Sequence, residues 1–479
     1  MATAPVQPES PSDIENSPAL SGSAGDLASG QRSGFRAEDS APGGVLFGDE
    51  WIAGAEGGGP HASTELTSES PDERARRHRV SGIVFLTVFI DFLGLGVLLP
   101  VIPHLVERFE DSALAVGVLG AAFALAQFVA TPALGALSDR VGRRAVLGLS
   151  LFGSAVGYAV LGLAGALWVM LLARVIDGVT GANISTAQAA LADVTPASRR
   201  SRSFALIGVA MGLGFVLGPM LGGVLADKAA LTAPVFTAGA LSLIAGVFAL
   251  WRMPETLPPS RRRSATITLR ELNPLAHAGW GWRIPGVRWG VLALVCVGVP
   301  FAALSNNLGV YLDRVYAMGP RDAAMLFSWM GVVIMLMQGV VVRRLSGTID
   351  DRAMARAGLL IFGVGLLVIA FTPVSPGWTL VGLYTGIAMF AAGHALTSPT
   401  LTGVVSRAAP SGHQGAAMGI STSMVSLTRV AGPLLGGVMF DHVAPNSPYW
   451  SGVIWVGVAM VMVVMLGGGG GKSQLASGR

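Results

Sequence analysis

The chain has 479 residues, of which 52% are hydrophobic and only 13% charged, against about 25% charged in an ordinary soluble protein. With a mean hydropathy of +0.61, this excludes an ordinary soluble enzyme and a disordered chain, and leaves a polytopic membrane protein. The formal charge of +4 hides a split: residues 1–70 hold eleven acidic residues against Arg32 and Arg36, and the remainder is strongly basic.

The first 70 residues are rich in Ser, Gly, Pro and Ala and show no apolar helical stripe. Such a segment cannot bury enough surface to offset its ordering entropy, so it reads as a disordered acidic tail. No apolar run of signal length lies near Met1, and the acidity disfavours a transit peptide. The tail is expected to span residues 1–79 and to end in a basic juxtamembrane segment of Arg74, Arg76, Arg77 and Arg79.

From Val80 onward, apolar stretches alternate with short polar breaks. A helix needs about 20 apolar residues to cross the hydrocarbon core. Spans are predicted near 80–103, 114–136, 144–164, 167–190, 203–226 and 232–252, forming a first six-helix half over 80–252. A basic linker over 253–286 follows. A second half over 287–467 has spans near 287–311, 322–342, 355–373, 377–401, 414–438 and 449–467, and a short tail, 468–479, ends the chain. The predicted fold is an all-α membrane protein of twelve helices in two halves.

Lys and Arg concentrate in cytoplasmic loops. With twelve spans, 24 of them fall on one side, and only Arg108, Lys228, Arg314 and Arg321 on the other. A wrong count would scramble this asymmetry, so both termini are expected in the cytoplasm. The sequence also repeats itself. Residues 218–224 read GPMLGGV and residues 432–438 read GPLLGGV, an offset of 214 that also maps Pro196 onto Pro410 and Asp227 onto Asp441. Repeated halves with a site at their interface are a transporter signature.

Three stretches carry a resemblance: DFLGLGVLLPVIP at 91–103, GALSDRVGRR at 135–144, and GFVLGPMLGG at 214–223. Together with PET at 254–256, they resemble the major facilitator superfamily, and within it the twelve-helix drug:proton antiporters that include tetracycline exporters. The resemblance covers about residues 80–467. It implies two pseudo-symmetric halves and proton-coupled export by alternating access. It also implies that Gly135, Asp139, Arg140, Gly142, Arg143 and Arg144 form a cytoplasmic gate motif. Gly214, Gly218, Pro219, Gly222 and Gly223 would form the antiporter-type helix motif, which the repeat extends to Gly432, Pro433, Gly436 and Gly437. Spans three and nine hold no acidic residue, a departure from the tetracycline exporters that argues against tetracycline as cargo.

In the gate motif, the arginines can pair with Asp139 or with helix C-termini, which would latch the two halves on one side. In span five, Gly208, Gly212, Gly218 and Gly222 offer close packing, and Pro219 a kink. Ionisable groups within the spans are costly and hence functional candidates. They are Asp91, Arg174, Asp177, His394 and Arg429. Arg174 and Asp177 are three apart, on one face and able to pair. Asp91 has no partner on its own helix, so it is the first choice for proton carrier and Asp177 the second. Arg429 can balance charge or meet an anionic group of the cargo, and His394 can titrate near neutrality. Polar Asn183, Asn306 and Asn307 can line a cavity or bond between helices.

Residues 466–473 mimic a phosphate-binding loop but begin with Leu466 in place of the required Gly and have no preceding strand. There is no zinc-ligand spacing and no catalytic triad, so no metal, no cofactor and no enzyme activity are expected. The lone Cys296 allows no internal disulfide. The Arg-rich linker reads as topology-setting charge rather than a nucleic-acid site. The sequence thus predicts a monomeric exporter of small amphipathic compounds in a plasma or bacterial inner membrane, with an organelle membrane as the alternative, working with protons. The alternatives are a facilitator or proton symporter of a metabolite, and a transport-inactive receptor or scaffold.

Overall fold

The computed structural model describes residues 70–181, 183–196, 199–226, 230–262, 282–345, 348–410 and 413–468. The acidic tail, most of the linker and the last residues lie outside this set. Within it, twelve helices are long and apolar enough to cross a membrane. They are α1 (Pro71–Leu98), α2 (Ala113–Val141), α3 (Arg143–Gly162), α4 (Leu167–Val194), α5 (Arg200–Leu225) and α6 (Ala233–Arg252), then α7 (Pro285–Tyr316), α8 (Pro320–Leu345), α9 (Asp351–Phe371), α10 (Trp378–Ala408), α11 (Gln414–His442) and α12 (Ser447–Gly468). The chain is an integral multi-pass membrane protein.

Two helices are irregular. α4 is broken into Leu167–Thr180 and Ile184–Val194, and α8 passes through a π-helical stretch at Met337–Val342. α1 starts nine residues earlier than its apolar run. Ser70 and Glu73 form a reciprocal capping box, and Pro71 fits the first turn. The basic segment expected to belong to the tail is therefore helical. Ser112 caps α2 by accepting from the Ala115 amide at 3.1 Å, and Asp350 caps α9 through the Ala353 amide at 3.2 Å.

The packing repeats with the sequence. α1 packs on α5 as α7 packs on α11; α3 on α6 as α9 on α12; α2 on α4 as α8 on α10. The halves meet through α2 against α11 and α5 against α8, which are again equivalent pairs. The bundle has a near end, where α1 begins and α12 finishes, and a far end, where α1 finishes and α2 begins.

The two GPxLGG segments make matching contacts. A Cβ on Gly222 would strike Val97 of α1, and one on Gly436 would strike Asn307 and Ala303 of α7. A Cβ on Gly223 would strike Ala324 of α8, and one on Gly437 would strike Ala113 and Leu114 of α2. Each motif thus holds the first helix of its own half and the second helix of the other half. Gly214 and Gly218 continue the track along α1, against Phe92, Leu93 and Gly96, while Gly432 meets Val299 and Ala302. Gly96 in turn faces Pro219, and Gly117 of α2 faces Pro433. Gly208 and Gly212, expected to pack, have open space beside them. The working face carries Gly214, Gly218 and Gly222, four residues apart, and spacing alone does not say which face a helix turns inward.

Candidate functional site

The charged residues of the first half converge around the break in α4. The Gln127 side-chain amide of α2 donates to the Gly181 carbonyl at 3.0 Å, which satisfies a backbone group the break sets free. One turn earlier, the Arg174 guanidinium donates to Asp177 Oδ2 at 2.6 Å, and both side chains are almost fully buried. Arg174 also lies over the rings of Phe123 at 5.2 Å and Tyr158 at 6.0 Å, a cation–π arrangement that compensates burial. Gly157 lets α3 approach Asp177, and Gly94 lets the Tyr158 hydroxyl reach α1.

Asp91 enters this cluster from α1. The Asn183 side chain, at the break, is its polar neighbour, and Asp177 is its charged neighbour. The two carboxylates have different environments. Asp177 has a cation in contact; Asp91 faces a neutral amide. A proton on Asp91 neutralises the site, whereas Asp177 already has its countercharge. Asn183 Oδ1 and Arg174 Nε are buried without a hydrogen-bond partner among the described residues. Tyr158, which is 1% exposed, is a member of this cluster that the sequence did not signal: a single Tyr in an apolar span carries no charge to flag it.

In the second half, His394 is half-buried and stacks on Phe301 with ring centroids 3.7 Å apart, with Phe362 at 6.3 Å. Its Nδ1 is buried without a hydrogen-bond partner among the described residues. Arg429 is near enough to act on it electrostatically and is itself exposed, although it sits midway along α11. Asn306 and Asn307 serve as helix-to-helix donors: Asn306 to the Val116 carbonyl across the halves at 3.2 Å, and Asn307 to the Pro433 carbonyl at 3.3 Å.

At the near end, Arg143 is the centre of the gate motif. It contacts Asp139 at 2.6 Å, Asp193 at 3.3 Å and the Ser138 hydroxyl at 2.5 Å. Its amide donates to Glu255, which also accepts from the Thr256 and Leu257 amides. Arg76 donates to the Glu255 carbonyl at 2.8 Å, and Arg144 to the Leu250 carbonyl. Arg140 is exposed, and Gly135 accepts from the Ser138 hydroxyl. Every partner named here lies in the first half or in the residues directly flanking it, Arg76 and Glu255 to Leu257. Among the described residues, the bonds named here tie α2, α3, α4 and α6 to one another. Gly142, between α2 and α3, has φ +115°, and a Cβ there would overlap the Glu255 carboxylate. Gly142→Ala is expected to cost about 1–3 kcal/mol through backbone strain, read as a lowered unfolding temperature of the purified protein.

The far end joins the halves. Asp441, from α11, accepts from Ser112 Oγ at 2.9 Å and from the Ala113 and Leu114 amides at 3.0 and 2.8 Å. A carboxylate on a helix N-terminus is favoured by the free amides and the dipole. Arg314, at the end of α7, bonds Asp111 and lies 3.4 Å from Asp441. Beside it, His104 Nδ1 is 3.4 Å from Glu107, and Asp313 lies against both. Burial keeps His104 below the usual imidazole range despite Asp313, while burial and the Asp313 carboxyl push Glu107 up to about 7.

The family model described as Major Facilitator Superfamily matches residues 84–427 and 339–469. The chain belongs to that superfamily, whose members are membrane transporters. The class B tetracycline resistance protein of Escherichia coli is 29% identical over 404 residues, covering 80% of this chain and 94% of its own. Major facilitator superfamily domain-containing protein 10 of Homo sapiens is 30% identical over 445 residues, covering 83% and 94%. The crystal structure of the human organic anion transporter MFSD10 (TETRAN) matches with TM-score 0.62 and 27% identity, over 83% of this chain and 100% of that one.

Proposed function

We propose that this protein is a proton-coupled antiporter that exports small amphipathic compounds from the cytoplasm, which its near end faces. The observation that carries this reading is the pair of unlike carboxylates at the α4 break: Asp177 is neutralised by Arg174, and Asp91 is left to load and release a proton. Intramembrane carboxylates of this kind mark proton relays, and a discontinuous helix at a site near the middle of a span is a transporter device. The far-end bonds between the halves describe a state closed on the outer side. The antiporter-type motif holds α1, the helix of Asp91, against α5 and holds α5 against α8 of the other half, so movement between the halves is passed to the proton site through α5.

The exposed Arg429, near the His394 ring that stacks on Phe301, favours cargo that joins an anionic group to an apolar or aromatic body. The human relative described as an organic anion transporter supports the same choice. The test is a compound-panel accumulation assay in cells expressing the protein, with and without an uncoupler. Export that collapses with the proton gradient, together with alkalinisation of the proton-rich compartment on cargo addition to proteoliposomes, supports the reading. A pH change of opposite sign identifies symport, and none identifies a facilitator. Retained output without flux identifies a receptor.

A further inference from the structure

His104 and Glu107 are one helical turn apart on the short Ile102–Val106 connector and its C-cap, in the first half. Asp313 is in the last turn of α7, in the second half. One nitrogen and two carboxylate oxygens from these residues all lie within 4.8 Å of one another. We propose that His104, Glu107 and Asp313 form a zinc-type divalent cation site that bridges the two halves at the far end and holds that end closed.

Three observations argue for a cation here. The donor set suits zinc: one imidazole and two carboxylates give a neutral complex and leave a fourth position for water. The imidazole selects zinc-like metals over magnesium and calcium, which prefer all-oxygen shells. In a tetrahedron with zinc bonds of this length, neighbouring donors are roughly 3.4 Å apart, which is the separation of His104 from Glu107. The charges also call for it. Carboxylate oxygens of Glu107 and Asp313 lie within 4.8 Å of one another, and a cation between two carboxylates this close relieves their mutual repulsion. The nearby Arg314 is engaged by Asp111 and Asp441.

The site is state-dependent by construction. Two ligands move with one half and the third with the other, so the metal binds the closed far end and loses a ligand when it opens. A ligand can shift a conformational equilibrium only by such differential binding. Zinc added on the far side therefore acts as a brake on the cycle.

The test is a titration of zinc(II) into the full chain in lipid nanodiscs at neutral pH, by calorimetry. One bound zinc per chain is expected. His104→Ala, Glu107→Gln and Asp313→Asn should each weaken it by about tenfold or more, whereas Glu110→Gln should leave it unchanged. Each variant is first shown to be folded by gel filtration and circular dichroism, and the three ligands give independent chances to read the result. Zinc should also slow labelling from the far side of a cysteine placed at Leu114 in a Cys296→Ser background. An absence of zinc binding, or binding that all three substitutions leave intact, overturns the proposal.

Discussion

Asp91→Asn is expected to leave the protein folded and to reduce proton-driven export to the level of liposomes without protein. The substitution preserves shape, so the Gly94–Tyr158 and Gly96–Pro219 contacts of α1 stay in place and Asn183 keeps a polar neighbour. What it removes is the ability to bind and release a proton where the lack of a contacting cation makes that proton count. Proteoliposomes with an internal pH dye measure the coupled proton flux, and exchange of labelled cargo without a gradient measures the conformational cycle. Lost proton flux with retained exchange is the expected pattern. Undiminished coupling would remove Asp91 from the mechanism and move the carrier role to Asp177.

Arg174→Met is expected to destabilise the first half by about 3–5 kcal/mol, because it strands the buried Asp177 carboxylate. The pair is bonded at 2.6 Å with both side chains nearly inaccessible, and Arg174 also gives up its place over Phe123 and Tyr158. The double variant Arg174→Met with Asp177→Leu should recover much of the loss, since it removes the uncompensated charge. Thermal unfolding in detergent, followed by gel filtration, reads both. If the single variant unfolds at the native temperature, the pair is not stabilising and Asp177 is accessible to a proton from water.

The architecture was legible because a membrane imposes a coarse code. Apolar length gave twelve spans, arginine placement gave their alternation, and the 214-residue offset gave the two halves, which the equivalent packing of α1 on α5 and α7 on α11 reproduces. Charges inside spans also advertise themselves, which is why Asp91, Arg174 and Asp177 were named. What stayed hidden depends on which faces meet. Tyr158 joins the cluster only because α3 and α4 pack closely at Gly157. Gly208 and Gly212 share a spacing with Gly218 and Gly222 but not their contacts. The Arg143 network could not be assigned to one half without knowing where Asp193 and Glu255 end up. The far-end ties join residues some two to three hundred positions apart, from Asp111 to Arg314 and from Ser112 to Asp441. Only the repeat, by pairing Asp227 with Asp441, pointed towards them.

The glycine contacts between the halves have a kinetic consequence. Gly223 meets Ala324, and Gly437 meets the backbone of Ala113 and Leu114. Such surfaces have no long side chains to disengage, so one can roll over the other without changes of rotamer, and contact is traded for contact as the bundle rocks. The barrier to the proposed rocking then resides in the polar ties between the halves: Asn306 on Val116 and Ser328 on Val216 along the helices, and the far end, where Asp441 must release three donors and Arg314 must release Asp111. In the proposed cycle, release of these few polar ties rather than friction along the helices is expected to govern turnover. Substitutions of Asp441 or Arg314 should change the rate constant of opening more than the affinity for cargo.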